Sequence, residues 1–167
     1  MVRISLLAAA ASAVIFGCSD PVLAQKSKDT LRYPIQEAQS TLDTYLSPGS
    51  FANLWEPSVY DNLLGFDPTK GQHVSALVKS WSQPNDRTYE LELRTDVTWH
   101  DSQKFTADDV VYTISTITSP TAKVSNPSNY AHIAGIEKTG DLSVRLKLKT
   151  PFPATLEFLA ASTPIWP

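Results

Sequence analysis

The chain of 167 residues has one cysteine, Cys18, so no disulfide can form within it and the fold must be held by packing, ligand or metal. Its three histidines stand apart at His73, His100 and His132, in no H-x-x-x-H or Cys-His spacing, so no zinc motif is legible. None of the six glycines falls in a G-x-S-x-G nucleophile elbow. Basic charge is scarce too. Fourteen Lys and Arg stand against seventeen Asp and Glu, a net charge of -3, which offers no electrostatic footprint for a nucleic-acid partner. There is no internal repeat and no low-complexity tract, and after residue 24 no apolar run reaches membrane length. With 42% hydrophobic and 19% charged residues, the chain has the composition of an ordinary globular protein.

The longest apolar stretch lies at the start. Arg3 precedes the uncharged run Ile4 to Phe16, and "GCSDPVLA" ends it at Ala24. This is a charged n-region, a short h-region and a cleavable c-region, so residues 1–24 read as a signal peptide and the mature chain starts at Gln25. The stretch "IFGC" also loosely matches a lipobox, which would place a lipid anchor on Cys18, but Phe16 fits that pattern poorly and ordinary cleavage is favoured. Removal takes away Arg3 and Asp20 together and leaves the charge unchanged. The chain stops at "STPIWP" with no capping element or polar tail, which reads as a product cut short.

In the mature part, "DTLRYPI" from Asp29 to Ile35 alternates like a half-buried strand, and a loop follows. Phe51, Leu54, Trp55, Val59 and Leu63 fall on one helical face that Pro57 should kink or delay. "LLGFDPTKGQ" reads as the turn that ends this helix, and Pro84-Asn85-Asp86 as a second turn. Two strands stand out. Thr88 to Arg94 should bury Tyr89, Leu91 and Leu93, and Leu142 to Lys149 should bury Leu142, Val144, Leu146 and Leu148. Glu90 and Glu92 would then face Arg145 and Lys147, with Lys138 to Asp141 as the turn feeding the second strand. Thr106 with Asp109 resembles a capping box for a helix over 106–118, buried through Val110, Val111, Ile114 and Ile117. A last helix should start at a cap on Thr150 or Pro153 and bury Leu156 and Leu159.

The stretch "RTDVTWHDSQKFTADDV", 94–110, concentrates reactive residue types. Adjacent residues of an extended chain point to opposite faces, so His100 and Asp101 are poorly placed to form a dyad, and no third group accompanies them. The structural alternative is a corner in which Trp99 is buried, Asp101-Ser102 turns the chain and Thr106 caps the helix. Trp55 and Trp81 likewise read as core, and Tyr60 and Asp61 as ties between helix and strands.

This stretch, with "ALVKSW" before it, resembles the signature region of the family 5 extracellular solute-binding proteins, the dipeptide and oligopeptide type that serves ABC importers. The resemblance rests on Leu93-Arg94, Val97, Trp99-His100-Asp101-Ser102, Phe105-Thr106-Ala107 and Asp108-Asp109-Val110. Upstream, Thr41-Leu42-Asp43 and Val59-Tyr60-Asp61-Asn62-Leu63 match as well. Ser102 stands where the family has glycine, so it should either adopt a left-handed conformation or sit in a rebuilt turn.

The resemblance implies an α/β fold, the N-terminal part of a periplasmic-binding-protein type II-like two-lobed clamp. It would have a mixed sheet with flanking helices, the second lobe would be missing, and residues 25–167 would form one truncated domain. It implies an extracytoplasmic, periplasmic component that captures a peptide or peptide-like solute, closes about a hinge and docks on a membrane permease. Ser47, Pro48, Gly49, Ser50 and Phe51, the loop before the first helix, would supply part of the ligand contacts, while the signature region would be scaffold. No catalytic residue, metal, cofactor or nucleic acid is implied. The alternatives are a nickel chelate, an opine or an oligosaccharide as ligand, and, as a different class, an exported hydrolase using His100 and Asp101.

Overall fold

In the described residues four strands precede a helix and two more strands precede a second, and the larger sheet they form has one oily and one charged face. The computed structural model describes residues 41–46 and 55–167, which lie within one compact unit, residues 39–167. The signal peptide expected over residues 1–24, the strand expected over 29–35 and the loop expected over 47–51 fall outside the described residues.

Among the described residues six strands form two antiparallel sheets. β1 (Leu64–Asp67) and β2 (Gln72–Ser75) make a hairpin, while β3 (Val78–Asn85), β4 (Thr88–Leu93), β5 (Ile133–Gly140) and β6 (Ser143–Leu148) pair in the order β3-β4-β6-β5. Every strand pairing among the described residues is antiparallel. Helix α1 (Ala107–Ile117) packs over β5 and β6, and helix α2 (Thr155–Ala161) packs against the β1–β2 hairpin. Among the described residues no helix is long and apolar enough to cross a membrane.

The alternation expected of the two central strands holds. Tyr89, Leu91 and Leu93 of β4 and Val144, Leu146 and Leu148 of β6 are buried, with Leu142 only half-buried in the preceding turn. Val110, Ile114 and Ile117 of α1 are buried with them, joined by Ala107 and Thr113, and Val111 packs at the margin. Removing a leucine such as Leu91 or Leu146 from water contributes about 1.5–3 kcal/mol, so this face dominates the stability of the unit.

The opposite face is a ladder of charges. Glu90 lies opposite Arg145, as expected, and Arg145 lies opposite Glu137 of β5. The Arg145 guanidinium donates to Glu90 at 2.9 Å and to Glu137 at 2.9 Å, and Lys147 donates to Glu137 at 2.7 Å. Those two bonds hold the Glu137 carboxyl below the usual carboxylate range. The expected Glu92–Lys147 contact does not form, because the register sets Glu92 against Ser143 and Lys147 against Thr88.

Several boundaries differ from the sequence reading. The helix expected through Leu63 ends in a 3-10 turn at Glu56–Ser58, closed by Val59 N–H on the Glu56 carbonyl at 3.0 Å. Beyond it Asn62 bridges Pro164, and the Leu63 carbonyl accepts from Val78 N–H, so the chain is extended where helical spacing had suggested a face. Leu63 is buried all the same, at the bend just before β1. "LLGFDPTKGQ" is not a simple turn but the β1–β2 hairpin, in which the Asp67 carboxylate accepts from Thr69 N–H at 2.9 Å and Gly71 takes a positive φ of 63°. Pro84 and Asn85 belong to edge strand β3, where a missing N–H is tolerated, and the turn is Asp86-Arg87. Lys138 to Gly140 likewise belong to β5, a strand absent from the sequence reading, and the turn into β6 is Asp141-Leu142. Helix α2 follows Ala154 as N-cap rather than Thr150 or Pro153, and buries Thr155 and Leu159.

The start of α1 carries a testable distinction. The Asp109 carboxylate accepts from Thr106 N–H at 2.7 Å and from the Thr106 hydroxyl at 3.2 Å, so the aspartate does most of the capping. Asp109→Ala should cost about 2 kcal/mol and Thr106→Ala about 1 kcal/mol in denaturant melts. The reverse order would assign the cap to the threonine.

Candidate functional site

The strand pair and α1 are joined by the corner at Val97 to Phe105, the stretch that looked most like chemistry. Thr98 and Lys104 form an antiparallel bridge, Trp99 N–H donates to the Gln103 carbonyl at 2.8 Å, and Ser102 N–H donates to the Trp99 carbonyl at 2.9 Å. Asp101 is consumed within this turn. Its two carboxylate oxygens accept from Gln103 N–H at 3.0 Å and from the Gln103 side-chain amide at 2.8 Å. Such a carboxylate orients backbone, not an imidazole, and the structural account of His100-Asp101 stands on those bonds.

Each neighbouring residue of the motif is similarly engaged. Leu93 and Phe105 are buried, and Arg94 forms a two-pronged pair with Asp96 at 2.9 and 2.7 Å. That pair raises the guanidinium and lowers the carboxyl from their ordinary values, the shared hydrogen bond being the larger cause in both. The Trp99 ring meets Phe105 edge-on at 5.9 Å, and its Nε1 donates to Asp109 at 3.4 Å, tying the turn to the first turn of α1. Trp99 and Trp81 are half-buried against the core, as read from the sequence.

Beside the corner runs an open cleft of about 190 Å³, with Pro57 to Asp61 on one wall and Val97 to His100 on the other. A second opening of about 280 Å³ shares Val59, Tyr60, Trp99 and His100 and reaches Asp101 and Pro167. The walls of the first cleft are mostly aromatic and aliphatic, with Tyr60, Asp61 and His100 as the ionisable groups, which suits apolar contact rather than bond-breaking. Among the described residues no group of three His, Cys, Asp or Glu side chains is placed to hold a metal.

Ser47, Pro48, Gly49, Ser50 and Phe51 lie outside the described residues, but the chain on either side is informative. Before them, Asp43 accepts from Tyr45 N–H at 2.9 Å and Leu46 N–H at 3.2 Å, a local turn. Tyr45 is the anchor. Its hydroxyl donates to the Pro164 carbonyl at 2.7 Å, and its ring meets Trp166 at 4.8 Å and Tyr130 at 5.7 Å. Burial pushes the Tyr45 hydroxyl far up, and that of Tyr130 up to about 12. After the loop, Glu56 sits half-buried with its carboxyl raised by burial. The buried atoms Thr44 Oγ1 and Trp55 Nε1 have no hydrogen-bond partner, and they flank the loop on its two sides. No periodicity or motif could have revealed those two atoms, because burial of a single polar atom depends on distant packing.

Ser102 carries a measurable consequence, since its φ of 71° places a non-glycine residue in the left-handed region. Its backbone bond to Trp99 would survive in glycine. Ser102→Gly should therefore leave stability unchanged or raise it by up to about 1 kcal/mol, and a loss above that in denaturant melts would show that the hydroxyl supports the turn.

Residues 72–167 match the bacterial extracellular solute-binding proteins, family 5 Middle. The glutathione-binding protein GsiB of Pectobacterium atrosepticum is 27% identical over 161 residues, covering 96% of this chain and 29% of that protein. The oligopeptide-binding protein AppA of Bacillus subtilis, solved with a nonapeptide, is similar at a TM-score of 0.69 and 29% identity over 74% of this chain and 25% of its own. NikZ of Campylobacter jejuni, solved with Ni(L-His), is similar at 0.66 and 29% over 80% of this chain and 26% of its own. The chain thus has the α/β fold of the substrate-binding proteins and spans between a quarter and a third of the length of these relatives. With a family match that takes in β2 through the last residue, more than half of the sequence, this chain belongs to the bacterial extracellular solute-binding proteins of family 5.

Proposed function

We propose that the chain is part of the extracytoplasmic substrate-binding component of an ABC importer, capturing peptides or peptide-like solutes without chemical turnover. The family match over residues 72–167 carries this reading, because solute binding is what the family description names. The engagement of Asp101 within its own turn supports binding over hydrolysis. A peptide-like ligand is supported by the relatives, one named for glutathione and one solved with a nonapeptide. The apolar run of residues 4–16 and the small residue Ala24 support export to the periplasm with cleavage of residues 1–24, and Cys18 is the position a lipid would take in the other route.

In this reading Ser47 to Phe51 supply part of the ligand contacts. The unpartnered Thr44 Oγ1 and Trp55 Nε1 support it, since buried polar atoms beside the loop favour an arrangement that completes their hydrogen bonds. Hinge closure around the solute would then present the closed form to a membrane permease. A nickel chelate is the second reading, favoured by the likeness to NikZ.

Calorimetry against di- to nonapeptides, glutathione and nickel-histidine tests both. A protein of the relatives' length that contains this segment should bind peptide and not nickel-histidine, and the converse selects the second reading. Residues 25–167 alone should bind no peptide at micromolar concentrations, because a clamp buries its ligand between two surfaces and association costs must be offset by both. Micromolar binding by that segment would overturn the two-lobed account.

A further inference from the structure

Helix α2 is gripped by two histidines of different chemistry. On one side His73 of β2 makes a 2.8 Å hydrogen bond from Nε2 to Glu157, a contact that a protonated imidazole keeps. On the other side the His132 ring stacks on Phe152 at 4.2 Å and 28°, and packs against Phe158 of α2 at 5.5 Å. His132 has a hydrogen bond to the backbone of Asn129, while its Nε2 is buried with no partner. The bonded nitrogen is therefore Nδ1, which carries the proton, and Nε2 presents a bare lone pair inside an aromatic slot. A lone pair tolerates that slot. A charged N–H without an acceptor does not.

We propose that His132 is an acid-sensitive latch: protonating its ring loosens α2 and the Ser162-Thr163 turn behind it, while β4, β6 and α1 stay in place. The turn follows α2 because the Phe158 carbonyl accepts from Ser162 N–H at 3.0 Å and from the Thr163 hydroxyl at 2.8 Å, whereas Pro164 to Trp166 are held separately, by Tyr45, by Ile165 N–H on the Asp61 carbonyl at 3.1 Å and by Trp166 N–H on Thr113 of α1 at 3.1 Å. The charged and titratable groups around His132 offer an imidazolium nothing. Lys149, whose N–H donates to the His132 carbonyl at 2.9 Å, repels it. Glu157 is bonded to His73, and the Tyr130 hydroxyl donates to the Ser162 carbonyl at 2.7 Å. Glu137 and Lys138 of β5 are tied to Arg145 and Lys147 and to Asp108. Burial, and then Lys149, lower the His132 value from the usual 6.5 against the opposing pull of Asn129. The ring is thus neutral when docked and charges more readily when released. Its contribution to docking is complete above that usual value and is lost as pH falls through the lowered one.

Hydrogen exchange read by mass spectrometry between about pH 7.5 and about pH 5, corrected for intrinsic rates, tests the latch. Opening of peptides spanning 155–163 should increase by about threefold to about thirtyfold on acidification, within the limit of about tenfold per pH unit for one proton. His132→Phe should remove that dependence and His73→Gln should leave it. An unchanged dependence in His132→Phe, or an equal loss of protection in β4 and β6, overturns the proposal. Should His132→Phe fail to fold, the imidazole titration of the wild-type chain by NMR decides, because a His132 ring that titrates at or above the free-histidine value also overturns it.

Discussion

The four-stranded sheet has one face of Leu, Val, Ile and Tyr and another of Glu, Arg and Lys, and each neighbouring element is placed by the need to keep water off the first. Helix α1 lies across β5 and β6 with Val110, Ile114 and Ile117 directed at that face. Its position is set at its N-terminus, where Ala107 N–H donates to the Asp141 carbonyl at 3.0 Å and Lys138 reaches Asp108 at 2.8 Å. The outer face needs no cover, because Glu90, Arg145, Glu137 and Lys147 satisfy one another across three strands and remain wet. One-sided burial of this kind fixes strand register, since a slip of one residue would turn Leu146 outward and Arg145 inward.

The corner at 97–105 connects the sheet to that helix, and its composition follows from the connection. Asp101 shapes the turn, Trp99 and Phe105 seal its underside, and Asp109 receives both the helix-start amide and the tryptophan N–H. A tryptophan, a histidine and several carboxylates in one short stretch resemble an active site because polar turns and helix caps use the same residue types as catalysis. What separates the two cases is where the hydrogen bonds go. Here they return to the local backbone and to Gln103, so in this chain the corner serves as scaffold.

Binding, in contrast, calls for polar atoms that local structure leaves unsatisfied. Thr44 Oγ1 and Trp55 Nε1 are such atoms, one before and one after residues 47–54 along the chain. His132 Nε2 is a third, but its slot is walled by Phe152 and Phe158, and its consequence is sensitivity to protonation rather than affinity for a solute. Tyr45 joins these regions, with its hydroxyl on Pro164 and its ring against Tyr130 and Trp166.

The parts of this protein legible in its sequence are those governed by neighbours in the chain. The alternation in β4 and β6, the capped start of α1, and the positive φ open to Ser102 all follow from side-chain period, from a carboxylate three residues past a threonine, and from the stereochemistry of a tight turn. The cross-strand pair Glu90–Arg145 was legible for the same reason, while Glu137, the second partner of Arg145, was not, because β5 lacks a clean alternation and is defined by pairing with β6. The β1–β2 hairpin was hidden in a similar way. Leu63 fits a helical spacing with Trp55 and Val59, and only contact with Val78, Pro164 and α2 makes that stretch extended. Tertiary structure alone decided that His132 would stack on Phe152 and that His73 would pair with Glu157, since those partners lie 20 or more positions away along the chain, while the adjacent turn leaves His100 exposed.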